Sequence, residues 1–263
     1  MRLREQNMSK NFELLQEERR EEIEQQLSPS IPATASSFPS LERGDDVRRQ
    51  TLSFDQAARE ECLKLVQRVF LGNPAVLRQV IVFVGIDRGN GCSQLCAETA
   101  RALAANTSGS VCVVDADFRN PALTSIFRVS RHRGLAETLV EDGGVRQFAQ
   151  QLKSSNLWLL SAGGVTSSAL SMLNSDRLRV RMHELRKEFT YILIDTPALN
   201  LYADAVPLGR IADGVIVVLE ADATRRESAL KGLESLREAN IDVLGAVLNR
   251  RTFPIPDFIY RRL

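Results

Sequence analysis

Short apolar runs alternate with helical stretches along most of this chain, and this alternation restricts the possible fold more than any other feature. The runs have the length of buried strands, and the stretches between them are long enough to cross a sheet face. We therefore predict an α/β fold, with a doubly wound, mostly parallel sheet and helices on both faces. The predicted strands cover residues 79–84, 110–114, 157–160, 191–194, 214–219 and 243–248; the predicted helices cover 93–105, 134–140, 145–151, 175–188, 202–211 and 225–239.

Composition divides the chain into three parts. Residues 1–50 are predicted to be a charged helical extension followed by a Ser/Pro linker, because they offer few apolar side chains to bury. Residues 51–250 form the main domain. It begins with a predicted amphipathic helix over 53–71, and the alternating pattern follows this helix. Residues 251–263 form a basic tail.

Charge and hydropathy exclude several classes of protein. The formal net charge is +1, so we expect no nucleic-acid partner. No apolar run approaches the roughly 20 residues that a membrane helix needs, and the N-terminus has no apolar signal region. We therefore expect a cytoplasmic protein. The four cysteines form no CxxC pair, so buried reduced thiols are expected, with a redox pair of Cys92 and Cys96 as a minor alternative.

A glycine-rich turn joins the first predicted strand of the alternating pattern to the helix that follows. It reads GIDRGNGCSQ over residues 85–94. In such a turn the backbone N–H groups and the helix N-terminus point at a phosphate. Gly89 and Gly91 would let the backbone approach the ligand closely, and the Ser93 hydroxyl is of the type that holds Mg²⁺.

The same turn departs from the pattern G-x-x-x-x-G-K-[ST] at two positions. Ile86 occupies the first glycine position, and Cys92 occupies the lysine position. A neutral thiol cannot place a positive charge on the terminal phosphates of a nucleotide. Arg88 is the only cation near in sequence that could replace the lysine. By itself, the loop is equally compatible with a strand-to-helix turn that binds no nucleotide.

Acidic residues end two of the predicted strands. VVDADFRNP places Asp115 and Asp117 at the end of the second strand, and YILIDTP places Asp195 at the end of the fourth. Ligands of open α/β sheets bind at the carboxyl ends of the strands, so these acids are expected to face the phosphate loop. Each acid alone would more often be a local cap.

The order of motifs resembles the bacterial tyrosine kinases of capsule and exopolysaccharide synthesis, within the wider group of cell-division and partition P-loop ATPases. The motifs are the glycine loop, VVDADFRNP, LWLLSAGG, ILIDTPAL, DGVIVVLEADATRRE and GAVLNR. The resemblance implies ATP and Mg²⁺ as cofactors and autophosphorylation of a tyrosine-rich tail. It also implies ring-like oligomers and activation by a membrane polysaccharide chain-length (co-polymerase) protein, so that the chain would lie at the inner face of the cell membrane through this partner.

The resemblance also assigns roles to residues of this chain. Asp115, Asp117 and Asp195 would be catalytic, and Ser93, Asp115 and Asp195 would hold the metal. The nucleotide contacts would be Gly89, Asn90, Gly91, Cys92, Ser93, Gln94 and, as the purine contact, Asn249.

The chain departs from the family pattern at three places besides the missing glycine. Cys92 replaces the lysine, and Gln94 replaces the usual threonine. The subunit-contact pattern E-x-x-R-x-x-R has become apolar at both basic positions, Leu63 and Val66. Only Tyr260 remains in the tail as a candidate phosphoacceptor.

These departures favour a pseudokinase that acts as a regulator or scaffold in polysaccharide export, alone or with an active kinase. Two alternatives stay open. One is an active autophosphorylating kinase in which Arg88 replaces the lysine. The other is a partition-type positioning ATPase that uses the basic tail.

Overall fold

The computed structural model describes residues 58–72, 78–130, 133–153, 156–164, 171, 173 and 175–251. All of them belong to a unit that runs from Arg49 to Leu263. The predicted N-terminal extension, its linker and Tyr260 lie outside the described residues.

A seven-stranded sheet forms the centre of this unit. Its order is β3-β4-β2-β5-β1-β6-β7, and every neighbouring pair is parallel except β3 with β4. This arrangement confirms the predicted α/β class. The strands are β1 (Val80–Gly85), β2 (Val111–Asp115), β3 (Gln150–Gln151), β4 (Leu157–Leu160), β5 (Tyr191–Thr196), β6 (Gly214–Glu220) and β7 (Val243–Asn249).

Helices cover both faces of the sheet. The first, α1, is described over 58–66 and ends in a π-helical turn at Gln67–Leu71. The others are α2 (Cys92–Asn106), α3 (Leu123–Phe127), α4 (Leu135–Val140), α5 (Asp176–Glu188), α6 (Ala205–Ile211) and α7 (Arg226–Glu238). Among the described residues, no helix is both long enough and apolar enough to cross a membrane.

Successive residues of the central strand β1 pack into two separate cores. Val82 belongs to the core under α4, α5, α6 and α7. Its neighbour Phe83 belongs to the core under α1, α2 and α3. Side chains alternate between the faces of a strand, and a strand that is apolar at every position is therefore buried from both sides. Val66 of α1 is fully buried in the second core, so this side chain stabilises the fold.

Two of the helix predictions were partly wrong. Residues 145–151 form a 3₁₀ turn at Val145–Gln147 and then the short strand β3, which pairs antiparallel with β4. The helix predicted from Tyr202 begins only at Ala205, and Tyr202 lies in the preceding loop. Residues 150–151 pair with β4 instead of continuing a helix, and the Tyr202 ring lies under the Arg119 guanidinium. The short helix α3 was not predicted, because five residues carry too little periodicity.

Candidate functional site

The glycine-rich turn between β1 and α2 is a loop held by side-chain amides. Gly89 and Gly91 have φ of 93° and 76°, which places both in the left-handed region that favours glycine. The buried Asn90 accepts a hydrogen bond from the Asp87 backbone N–H through its Oδ1, at 2.8 Å. Its Nδ2 donates to Thr224 Oγ1 at 3.3 Å. The loop is thus preorganised by its own sequence and by the β6–α7 connection.

Asn249, the predicted purine contact, lies against this loop at the end of β7. Its Nδ2 donates to the Asn90 carbonyl oxygen at 2.8 Å. A Cβ added at Gly91 would stand 2.4 Å from the same Nδ2. The amide of Asn249 therefore holds the loop in place, and this contact gives the residue a positioning role in the described structure.

We expect Gly91→Ala to lower the free energy of unfolding by about 2 kcal/mol, since it combines a left-handed φ with a clash against Asn249. Gly89→Ala is the matched control, because its φ is also positive but no atom lies within 4 Å of the added Cβ. It should cost about 1 kcal/mol. Urea unfolding of both variants measures the difference. Equal losses would show that the Asn249 contact does not hold the loop.

Asp115 and Asp195 lie side by side at the carboxyl ends of two neighbouring strands. They are register partners in the β2–β5 pair, and both are fully buried. Oδ2 of Asp115 accepts from the Leu123 backbone N–H at 3.0 Å. Within the described part of the chain, Oδ1 of Asp115 and both carboxylate oxygens of Asp195 have no hydrogen-bond partner. Buried polar atoms without partners are costly, so these oxygens mark a place built for a ligand.

Burial also changes the protonation of the two acids. It raises the pKa of Asp195 to about 8, with a further contribution from the charge of Asp115. The pKa of Asp115 rises to about 7, mainly through burial and in part through Asp117. Ser93 and Cys92 face Asp195 and partly offset its pKa rise, although neither contact has the geometry of a hydrogen bond. At neutral pH the pair therefore carries less than its full negative charge.

Cys92 opens α2, at the position that the pattern G-x-x-x-x-G-K-[ST] gives to lysine. Part of its surface faces the cavity, and the thiol is free. Burial of the sulfur and the adjacent Asp195 raise its pKa well above the ordinary value. The thiol is therefore uncharged at neutral pH. Cys96, one turn along the helix, is free and buried, and its pKa is raised by burial and by Asp195.

A cavity of about 220 Å³ lies above the loop. The predicted contacts from Gly89 to Gln94 line it, and so does Asp117. Oδ1 of Asp117 accepts from the backbone N–H groups of Arg119 and Asn120 at 3.0 and 2.9 Å, which places this acid in a local turn at the cavity wall. Asp115, Asp195 and Asn249 do not line the cavity, although Asn249 binds the carbonyl oxygen of Asn90, which does.

Two arginines line the cavity. Arg88 donates to Asn120 Oδ1 at 2.9 Å. Arg250 pairs with Glu220 at 3.0 Å. Sequence reasoning considered only Arg88 and missed Arg250, which follows Asn249 directly. Its position at the carboxyl end of β7 is the signal that could have found it, because parallel strand ends meet at one edge of the sheet.

The groups at this edge fit a phosphate ligand with Mg²⁺, apart from one missing charge. The loop has the glycines that bring backbone N–H groups to an anion, and Asp195 offers unpartnered oxygens beside Ser93. No set of three His, Cys, Asp or Glu within the described ranges could hold a metal alone. Mg²⁺ requires no such set, because it usually takes one or two carboxylates plus phosphates and water. The absent element is a lysine.

A glycine loop after the first strand of a parallel sheet, with acids at the adjacent strand ends, defines a P-loop α/β protein. The sequence model of the family described as cellulose biosynthesis protein BcsQ matches residues 78–232, more than half of the chain. The chain therefore belongs to this family.

Known relatives confirm the resemblance to tyrosine kinases. The chain is 28% identical over 185 residues to the tyrosine-protein kinase YwqD of Bacillus subtilis, covering 66% of this chain and 78% of YwqD. It is 29% identical over 175 residues to the succinoglycan biosynthesis transport protein ExoP of Rhizobium meliloti, covering 65% of this chain but 22% of ExoP. The solved kinase domain of VpsO superposes with a TM-score of 0.67 at 25% identity, covering 76% of this chain and 99% of that domain.

Proposed function

We propose that this chain is a nucleotide-binding regulator of exopolysaccharide or capsule synthesis that has the fold of a tyrosine kinase but transfers phosphate poorly. The observation that carries this proposal is the uncharged thiol of Cys92 at the start of α2, where a lysine would meet the phosphates. The loop, the acids and the sheet remain in place around this one substitution.

A missing cation affects phosphoryl transfer more than binding. The transition state spreads charge over the transferred phosphoryl group, and groups that stabilise this charge contribute about 10³-fold or more to the rate. Binding of the ground state also uses the backbone N–H groups and the metal, which do not depend on position 92. We therefore expect retained but weakened ATP-Mg²⁺ binding, together with a large loss of kinase activity.

The site residues divide into three proposed roles. Gly89, Asn90, Gly91 and Gln94 would surround the phosphates, and Ser93 with Asp195 and Asp115 would hold Mg²⁺. Bound Mg²⁺ would neutralise phosphate charge at this edge of the sheet. Asp117, which is half-buried at the cavity wall, would face an incoming hydroxyl. Proton release from Asp195 would accompany metal binding, since its pKa is raised to about 8.

The link to polysaccharide synthesis comes from the relatives. The family description names cellulose biosynthesis, and ExoP is named for succinoglycan biosynthesis transport. By analogy, we propose a cytoplasmic location at the inner face of the membrane, through a membrane chain-length or co-polymerase protein. An active kinase or further copies of this chain are the other proposed partners.

An active kinase is the second candidate function, because the three acids of the kinase motifs are all present. Asp115 and Asp195 are adjacent, and Asp117 lines the same cavity as the loop. In this case Tyr260 would be the phosphoacceptor.

Isothermal titration with ATP-Mg²⁺, followed by mass spectrometry of the incubated full chain, tests the two candidates. We expect measurable ATP-Mg²⁺ binding and no phosphotyrosine. Low-micromolar affinity together with phosphate on Tyr260, absent from a Tyr260→Phe control, would instead establish the kinase. Absence of any nucleotide binding, in the chain and in Cys92→Lys alike, would contradict both.

A further inference from the structure

We propose that Arg250 supplies, at the phosphate loop, part of the positive charge that a lysine at position 92 would provide. This inference rests on the proposed nucleotide site and concerns which residue of this chain completes it. It assigns to Arg250 a phosphate-binding role toward the β- and γ-phosphates of a nucleoside triphosphate.

The backbone turn after β7 brings Arg250 to the loop. Arg250 has a φ of 55°, a left-handed conformation that is uncommon for a residue with a side chain. Immediately before it, Asn249 is bound to the Asn90 carbonyl oxygen, which fixes the position of the turn. A Cβ added at Gly91 would stand 3.6 Å from Arg250 Nε. Arg250 thus lies near the loop at Gly91, one residue before Cys92, and lines the same cavity.

The chemistry of the arginine suits this role. A guanidinium group stays charged at all physiological pH values and can bind phosphate oxygens with two N–H groups at once. Its present partner is Glu220, at 3.0 Å, and the Arg250 side chain is 57% exposed. An ion pair with an arginine this exposed is weak, so a triphosphate can compete for the guanidinium.

The other nearby arginines are less suited. Arg88 also lines the cavity, but its guanidinium is turned toward Asn120 on the β2 side. Arg119 is engaged by Asp204 at 3.1 Å and stacks on the Tyr202 ring at 4.1 Å. Arg250 Nε, in contrast, is among the three atoms nearest to a Cβ added at Gly91, next to the start of α2.

Charge-removal variants of the full chain test the proposal by titration with ATP-Mg²⁺ and with AMP. Arg250→Gln should weaken ATP-Mg²⁺ binding about tenfold, equivalent to 1.4 kcal/mol, and change AMP binding less than about twofold. Arg250→Lys should recover most of the affinity, because the charge returns. The matched control is Arg251→Gln, the next residue along the chain, which lines a separate cleft between β6 and α7. This control should leave both affinities within about twofold of wild type.

A double variant makes the test specific to the missing lysine. If Arg250 partly replaces that lysine, its charge should matter less once the lysine is restored. In a Cys92→Lys background, Arg250→Gln should therefore lower the ATP-Mg²⁺ affinity less than about threefold, because the introduced lysine still provides a positive charge. An unchanged tenfold cost in that background would overturn the proposal, because the two cations would then act independently. The proposal would also be overturned if Arg88→Gln weakened ATP-Mg²⁺ binding and Arg250→Gln did not.

The failure of this inference differs from the failure of the proposed function. If wild type binds ATP-Mg²⁺ and Arg250→Gln behaves like Arg251→Gln, Arg250 is not the phosphate cation, although the nucleotide site stands. If neither wild type nor Cys92→Lys binds ATP-Mg²⁺, the nucleotide site itself is disproved and the role of Arg250 with it. Thermal unfolding of each variant confirms that it is folded before the titration.

Discussion

Replacing Cys92 with lysine should raise the affinity for ATP-Mg²⁺ at least about tenfold, or 1.4 kcal/mol. The thiol is uncharged at neutral pH because burial and Asp195 raise its pKa. An ammonium group at this position would add a charge-assisted contact to the phosphates. Isothermal titration of the variant and wild type at the same salt concentration measures the gain.

The matched control is Cys92→Met, which adds length without charge. It should give no gain, so that any improvement with lysine is due to the ammonium. If neither variant binds ATP-Mg²⁺ more tightly than wild type, residues 85–94 do not bind phosphate. Because the new ammonium would also meet the carboxylate of Asp195, Cys92→Lys should make stability less dependent on pH than in wild type.

Replacing Asp195 with asparagine should stabilise the metal-free protein at pH 8, by about 2 kcal/mol. Asp195 is fully buried, and neither carboxylate oxygen has a hydrogen-bond partner among the described residues. Its pKa of about 8 lies above the ordinary value of 3.8. At about 1.36 kcal/mol per pKa unit, the whole shift corresponds to roughly 6 kcal/mol, which water entering around the ionised carboxylate reduces.

The sign of the pH dependence follows from the same shift. Between pH 3.8 and about 8 the folded protein holds a proton on Asp195 that the unfolded chain has lost. The free energy of unfolding of wild type therefore falls as pH rises through this range and levels off above it. Asparagine cannot ionise, so the advantage of the variant should be small at pH 5 and grow toward pH 8. The Asp115 carboxyl, whose pKa is about 7, titrates with Asp195 as a pair and broadens the change.

Urea unfolding in EDTA at pH 5, 7 and 8 measures this prediction. The control is Asp142→Asn, which removes one carboxylate from a fully exposed side chain and should change stability by less than about 0.5 kcal/mol at every pH. An Asp195→Asn variant that is less stable than wild type at pH 8 would show that the carboxylate is satisfied in the folded state. The stabilised variant should also lose affinity for ATP-Mg²⁺, because a proposed metal ligand has been removed.

The chain sequence by itself determined the class of fold and the composition of the site. Fully apolar runs separated by helical stretches require a parallel sheet with both faces covered, since no other arrangement buries such strands from both sides. Asp115 and Asp195 end two of these runs, and parallel topology places strand ends at one edge. Local chemistry also identified the loop, because strand, glycines and helix follow one another directly.

Only the tertiary structure decided how the distant residues act on that loop. β7 ends beside β6 and next to the loop, and this packing turns the amide of Asn249 onto the Asn90 carbonyl oxygen. The left-handed turn that follows then brings Arg250 to Gly91. The strand-end position of both residues could be predicted, but the contacts themselves could not, because each joins residues far apart in the chain. Hydrogen bonds and charges of this kind depend on the positions of side chains, which periodicity does not specify.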